Sequence, residues 1–263
     1  TLALAGMGVF MPVDLQDVFK KRPSVRAAAL EAWKDTYVKP VYSEKQKKDL
    51  ARKREVERRR RARLIDDAAE TVLLLPKDAA VAFTVRDDPA AAASLERHVG
   101  QIDVVIPDWF GASGNGCELV EHIDAPTQRI LDSHDVLVMP RIANFTDQKW
   151  HGEQFAAMMR DDTNRRCFVN KLVTRLDQLK ADGVNVDVEE LAPEDSEPLL
   201  ELLVELKNAL HKRGMRLTVC VSFYDPAYDL EFIGQLADAV FVMAYDQHYP
   251  ASKPGPISGK AWF

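Results

Sequence analysis

The chain is short of the residues that staple, ligate and punctuate. Its 263 residues contain three cysteines, Cys117, Cys167 and Cys220, too few and too scattered for a disulfide framework or a cysteine metal site. The six histidines stand at no metal-ligand spacing, so neither a metal nor an organic cofactor is expected. No Gly-rich phosphate loop follows the first strand-like run, which argues against a nucleotide site there. No GxSxG elbow occurs either. Long apolar runs are missing too: Thr1 to Met11 is apolar but far below the ~20 residues a bilayer-spanning helix needs. It fits the stub of a clipped signal or anchor helix, leaving open a membrane anchorage upstream of Thr1.

What is present is unevenly charged. Lys20 to Arg63 holds 17 Lys/Arg against 6 Asp/Glu, a net of +11, so the remainder of a −6 chain carries −17. Residues 44–63, including Arg58-Arg59-Arg60-Arg61, lack Gly and Pro and predict a solvated basic helix. No aromatic platform is interleaved with these charges and the body is acidic, so nucleic acid is not an expected partner. Residues 1–63 thus read as an apolar stub and basic leader, and 64–263 as a folded body. With 46% hydrophobic residues, a chain this long can bury a substantial core.

The body alternates short β-rich runs with helical segments, the rhythm of βα units feeding a parallel sheet. Six strands are expected: Ala79 to Val85, Asp103 to Pro107, Asp135 to Pro140, Gly183 to Val188, Arg216 to Ser222 and Ala239 to Met243. Helices are expected over Pro89 to Val99, Ala125 to Ser133, Asp147 to Met159, Asp162 to Lys180, Glu197 to Lys212 and Leu230 to Ala237. Polar residues cluster just beyond the strands, at Asp87, Asp108, Asn144, Glu189, Tyr224 and Asp246, where a barrel carries its active site. The expected fold is therefore α/β, a TIM-type (β/α)8 barrel that reads as truncated after its sixth strand. A six-stranded open sheet is the alternative.

The run Asp182-Gly183-Val184-Asn185-Val186-Asp187-Val188-Glu189 carries the chemistry. Alternation along a strand puts Asn185, Asp187 and Glu189 on one face and the three valines on the other. Carboxylates aimed into a sheet interior are costly unless paired, protonated or functional. This DGxNxDxE segment resembles the fourth-strand signature of glycoside hydrolase family 18, usually DGxDxDxE, and Val242-Met243-Ala244-Tyr245-Asp246 resembles that family's sixth-strand Met-x-Tyr-Asp element. Val105-Ile106-Pro107-Asp108-Trp109 and Tyr245-Asp246-Gln247-His248-Tyr249 add a narrower likeness to the barrels of bacterial polysaccharide-processing proteins, some of them fused to deacetylase and glycosyltransferase domains.

The resemblance implies a glycosidase cleaving β-linked N-acetylglucosamine-containing polysaccharide by substrate-assisted retention. Glu189 would be the general acid and base, its pKa raised by burial or by Asp187. Asp187 would hold the acetamido nitrogen and Tyr245 the acetamido oxygen. Asp246 and Met243 would line the pocket floor. Asn185 departs from the usual Asp and is expected to donate a hydrogen bond to Asp187. From the residues alone, Trp109 is a candidate for stacking on a pyranose ring or for core packing. Asp87 could bond sugar hydroxyls, while an N-cap for the next helix is the plainer role for the Asp87-Asp88 pair. Asn144 is a candidate sugar contact or turn residue. A catalytically weak or inactive sugar-binding barrel is the alternative function, and a scaffold that binds no sugar a further one. Polymer hydrolysis points to an extracytoplasmic or membrane-anchored location.

Overall fold

A computed structural model describes residues 45, 48, 52, 55, 56, 59, 63, 72–76, 78–86, 88–113, 116–222, 225, 227–245, 247–248 and 254–259. The apolar stub and nearly all of the basic leader lie outside them, as do Asp87, Tyr224 and Asp246. At the seven described positions between 45 and 63 the backbone is helical, and Arg59 pairs with Glu55 one turn earlier at 2.8 Å.

Six parallel strand lines follow one another in chain order. The first is β1 (Val81–Thr84), which pairs with β2 (Val104–Pro107), and β2 pairs with β5 (Leu137–Val138). The second and third lines each break and resume, β2 continuing as β3 (Phe110–Gly111) and β5 as β6 (Arg141–Ala143), and β3 pairs in parallel with β6. The breaks fall beside Pro107 and Pro140, which have no N–H to give to a ladder. From β6 the sheet runs on through β9 (Gly183–Asp187), β10 (Arg216–Val221) and β11 (Ala239–Val242). The short β4 (Val120–Glu121) lies antiparallel to β3. All six expected strands are present within a residue or two of their expected bounds.

Six helices connect them: α1 (Pro89–His98), α2 (Ala125–Asp132), α3 (Gly152–Arg160), α4 (Asp162–Gln178), α5 (Ser196–His211) and α6 (Leu230–Leu236). Four start on an aspartate whose carboxylate accepts a first-turn N–H: Asp88 from Ala90, Asp124 from Thr127, Asp161 from Asn164 and Asp229 from Phe232. One helix differs from expectation at its start. Residues 145–150 form a hairpin, β7 (Phe145–Thr146) against β8 (Lys149–Trp150). Asp147 and Gln148 take φ of 51° and 60° at its two-residue turn, the mirror-image geometry that matches strand twist.

The strand valines and the helical leucines form one core cluster outside the sheet, with Val184, Val186 and Val188 packed among Leu172, Leu176, Leu199 and Leu203. A second cluster consists mainly of strand residues and their flanks: Ala79, Val104, Ile106, Met139, Cys220 and Phe241, with Phe83, Leu137 and Met243 against it. Both faces of the sheet are therefore buried, as parallel sheets require. Cys117 and Cys167 are joined by a disulfide with Cα atoms 5.6 Å apart, tying the segment before β4 to α4. No pairing could be read from the sequence, because the two stand 50 residues apart and only the packing of α4 brings them together.

At the amino-terminal ends of β10 and β11, the buried carboxylate of Asp238 accepts from the Leu73 N–H at 2.9 Å and the Leu217 N–H at 2.7 Å. It also meets His211 at 2.8 Å and the fully buried Lys207 at 3.7 Å. Asp238→Ala leaves a buried ammonium without its counter-charge and is expected to destabilise the protein by about 3–5 kcal/mol. A urea-unfolding midpoint lowered at constant m-value is the measurement that checks this.

Candidate active site

The site is built on β9. Asp182, just before it, receives the Val138 N–H on its carboxylate at 2.8 Å and gives its own N–H to the Val138 carbonyl. Gly183 follows because a side chain there would overlap the Arg216 backbone of β10. From this anchored start the alternation sends Asn185 and Asp187 to the inner face. Asn185 is fully buried; its amide donates to Thr218 Oγ1 at 3.1 Å and its oxygen accepts from the Cys220 thiol at 3.3 Å. Two expectations are corrected here. Asn185 bonds to β10 and not to Asp187, and a residue with no exposed surface is not a sugar contact.

Asp187 has a different partner. Arg141 Nε donates to Asp187 Oδ2 at 2.6 Å, and Arg141 NH1 donates to Asp108 Oδ1 at 2.8 Å. Asp108 in turn meets Arg86 at 3.2 Å. Burial alone would lower the Arg141 pKa, but the neighbouring charges of Asp187 and Asp108 outweigh it and raise the value. The second oxygen of Asp187, Oδ1, is buried without a hydrogen-bond partner.

Glu189 is held by its backbone. Asn144, itself fully buried, donates from its amide to the Glu189 carbonyl at 2.8 Å and accepts the Glu189 N–H at 2.9 Å. Asn144 is thus a positioning residue, its amide committed to protein where a sugar contact was one expectation. The Tyr228 hydroxyl donates to the Val188 carbonyl one residue earlier. Glu190 then turns at φ 57°, and Gly152 at the start of α3 packs so closely on the Glu190 carbonyl that no side chain fits there. The Glu189 carboxyl is pushed up to about 7, first by burial and then by the charge of Asp187; Arg141 opposes the shift and Asp225 and Glu190 add to it.

The remaining expected site residues have different surroundings. Tyr245 is 48% exposed beyond the end of β11. Met243 packs on the inner strand cluster and donates its N–H to the Val221 carbonyl. Trp109 is 3% exposed, its indole N–H directed to Asp124 at 3.3 Å, so its stacking face is covered by protein and core packing is its role. Asp87 and Asp246 lie outside the described residues. Sequence reasoning missed the pairing role of Arg141, and missed Arg86, Asp225, Tyr228 and Trp150. The signal for Arg141 was its place: a charged residue directly after an apolar strand run, as Asp108 is. Trp150, on the unexpected hairpin, meets Phe145 edge-on with centroids 5.0 Å apart and lies 5.8 Å from the Arg141 guanidinium carbon.

Among the described residues no group of three or more His, Cys, Asp or Glu is gathered as metal ligands, and no helix is long and apolar enough to cross a membrane. The arrangement joins an acid that can carry a proton near neutral pH to a carboxylate fixed by an arginine, at the carboxyl end of a barrel strand. That suits proton transfer to a leaving group.

Comparison with known proteins agrees. The family described as Glycosyl hydrolases family 18 matches residues 116–260. An uncharacterized glycosylase, YvbX, of Bacillus subtilis is 26% identical over 188 residues, covering 66% of this chain and 54% of that protein. The cortical fragment-lytic enzyme of the same organism is 24% identical, over 57% of this chain and 36% of that enzyme. A chitinase from Chromobacterium violaceum superposes with a TM-score of 0.63 at 25% identity, covering 70% of this chain and 61% of that one. The chain thus spans about half or less of the length of these curated relatives.

Because folding raises the Glu189 pKa to about 7, the folded state holds a proton that an unfolded glutamate, at about 4.3, has released. The native protein therefore loses stability relative to the unfolded chain as pH rises from about 4.5 through 7. Glu189→Gln removes that loss. Its melting temperature is expected to exceed that of the wild type at pH 8, with the gap closing by pH 4.

Proposed function

The chain belongs to family 18 of the glycosyl hydrolases, and from that premise we propose that it is a glycosidase cleaving β-linked N-acetylglucosamine-containing polysaccharide with retention, the substrate's own acetamido group acting as nucleophile. The observation that carries the reading is the elevated Glu189 acid beside the Asp187 carboxylate. In the first step Glu189 gives its proton to the glycosidic oxygen, the bond from that oxygen to the anomeric carbon breaks, and the acetamido carbonyl oxygen bonds to that carbon. The resulting cyclic oxazolinium is cationic, and Asp187, accepting its N–H, stabilises the charge. In the second step the Glu189 carboxylate takes a proton from water, whose oxygen opens the ring at the anomeric carbon.

Tyr245 holds the acetamido oxygen in line for attack, exploiting proximity in place of a second protein nucleophile. Asp246 and Met243 are assigned to substrate binding by their place in the Met-x-Tyr-Asp motif. Chitin-like chains, peptidoglycan and acetylated exopolysaccharides all present the required group. Since disulfides persist in oxidising compartments, the Cys117–Cys167 bond favours a place outside the cytoplasm.

Acetylated and de-N-acetylated β-1,4-glucosamine oligomers separate the outcomes. Cleavage confined to the acetylated series is expected, reduced at least ~100-fold in Glu189→Gln, with kcat/KM falling above pH about 7 as Glu189 deprotonates. Binding of acetylated oligomers without any turnover would instead make the barrel a sugar-binding module.

A further inference from the structure

We propose that Arg141 is a positioning residue of this glycosidase: anchored through Asp108 to Arg86, its guanidinium holds Asp187 in place beside Glu189 and sets the charge that the acid faces. The inference rests on the glycosidase reading and adds a residue to it.

Four side chains from four consecutive strand lines make the argument. Arg86 follows β1, Asp108 follows β2, Arg141 opens β6 and Asp187 closes β9. Their charges alternate, and successive pairs stand 3.2, 2.8 and 2.6 Å apart. All four are mostly shielded, with side-chain exposures of 10–17%. Arg141 uses Nε on one carboxylate and NH1 on the other, so its fork cannot turn without breaking a charge-assisted bond. Trp150 lies on the same guanidinium. The polar residue beneath Asp187 on the same strand offers no substitute, since the Asn185 amide is committed to Thr218 and Cys220. A lysine would supply the charge but not the fork.

The groups acting on Glu189 are Asp187 on β9, Arg141 on β6, Asp225 on the loop after β10 and the adjacent Glu190. Cys220 and Tyr228 are also close. Burial and the charge of Asp187 push both far above their ordinary values, so they stay neutral. Arg141 is therefore the cation set against three carboxylates, and removing it moves the Glu189 titration upward.

The test uses Arg141→Met, Arg141→Lys and, in case the first folds poorly, Asp108→Asn, which loosens the anchor while keeping its shape. In Arg141→Met, kcat/KM on acetylated oligomers is expected to fall about 100-fold, mostly in kcat, as for a reacting group displaced by an ångström. The alkaline limb and the carbon-13 carboxyl titration of Glu189 should both move to higher pH. Arg141→Lys should leave that limb near the wild-type position and recover little of kcat. Asp108→Asn should lower kcat about 10-fold with KM little changed. An unmoved Glu189 titration in Arg141→Met, or full activity of Arg141→Met where Glu189→Gln silences the enzyme, overturns the proposal and leaves the glycosidase reading standing. A wild type that cleaves nothing, with the titration still moving, overturns the glycosidase reading and upholds the coupling between Arg141 and Glu189.

Discussion

Two carboxylates at the inner end of one strand impose the condition that the surrounding structure meets. Asp187 and Glu189 stand two residues apart, and neither is free in water. Two charges so placed repel, and each loses hydration. The protein treats them differently: Asp187 receives an arginine, and Glu189 is left in surroundings that favour its neutral form. One environment makes a fixed anion and the other an acid charged with a proton near neutral pH, the division of roles that general acid catalysis needs.

The supporting parts follow from that division. The Glu189 backbone is held at both polar atoms by Asn144 from the third strand line, while Tyr228 ties down the preceding carbonyl. Arg141 comes from that same third line and Asp108 from the second. Stations on neighbouring strands thus converge on the fourth, and the parallel register, with Arg141 opposite Asn185 and Ala143 opposite Asp187, sets how far each side chain must reach. Far below, Asp238, Lys207 and His211 clamp the opposite strand ends to α5. This separates stability from chemistry between the two ends of the barrel, as the architecture generally does.

A good deal was legible in advance. Strands β1, β9, β10 and β11 appear where short β-branched runs predicted them, and the aspartate before Pro89 caps α1 as its type and place implied. The inward face of β9 was readable because alternation is a property of the strand itself. The 145–150 hairpin was not, since its turn residues, Asp147 and Gln148, are not the Asn-Gly or Asp-Gly that announce such a turn. Trp109 could equally have been platform or core; the position of Asp124, fifteen residues on, decided it.

The amino-acid sequence by itself determined the order of βα units, the face on which Asn185, Asp187 and Glu189 lie, the helix caps and the family to which the chain belongs. The first three are set by near neighbours, through backbone periodicity and local hydrogen bonding, and the family is carried by the motif residues themselves. Tertiary structure alone decided that Asn185 turns to β10 while Arg141, 46 residues before Asp187, becomes its counter-charge, and that Cys117 meets Cys167. Those choices belong to side chains far apart in sequence, whose meeting depends on strand register and helix packing. The pKa of Glu189 is decided there too, because burial and neighbouring charge exist only once strands and helices have packed around it.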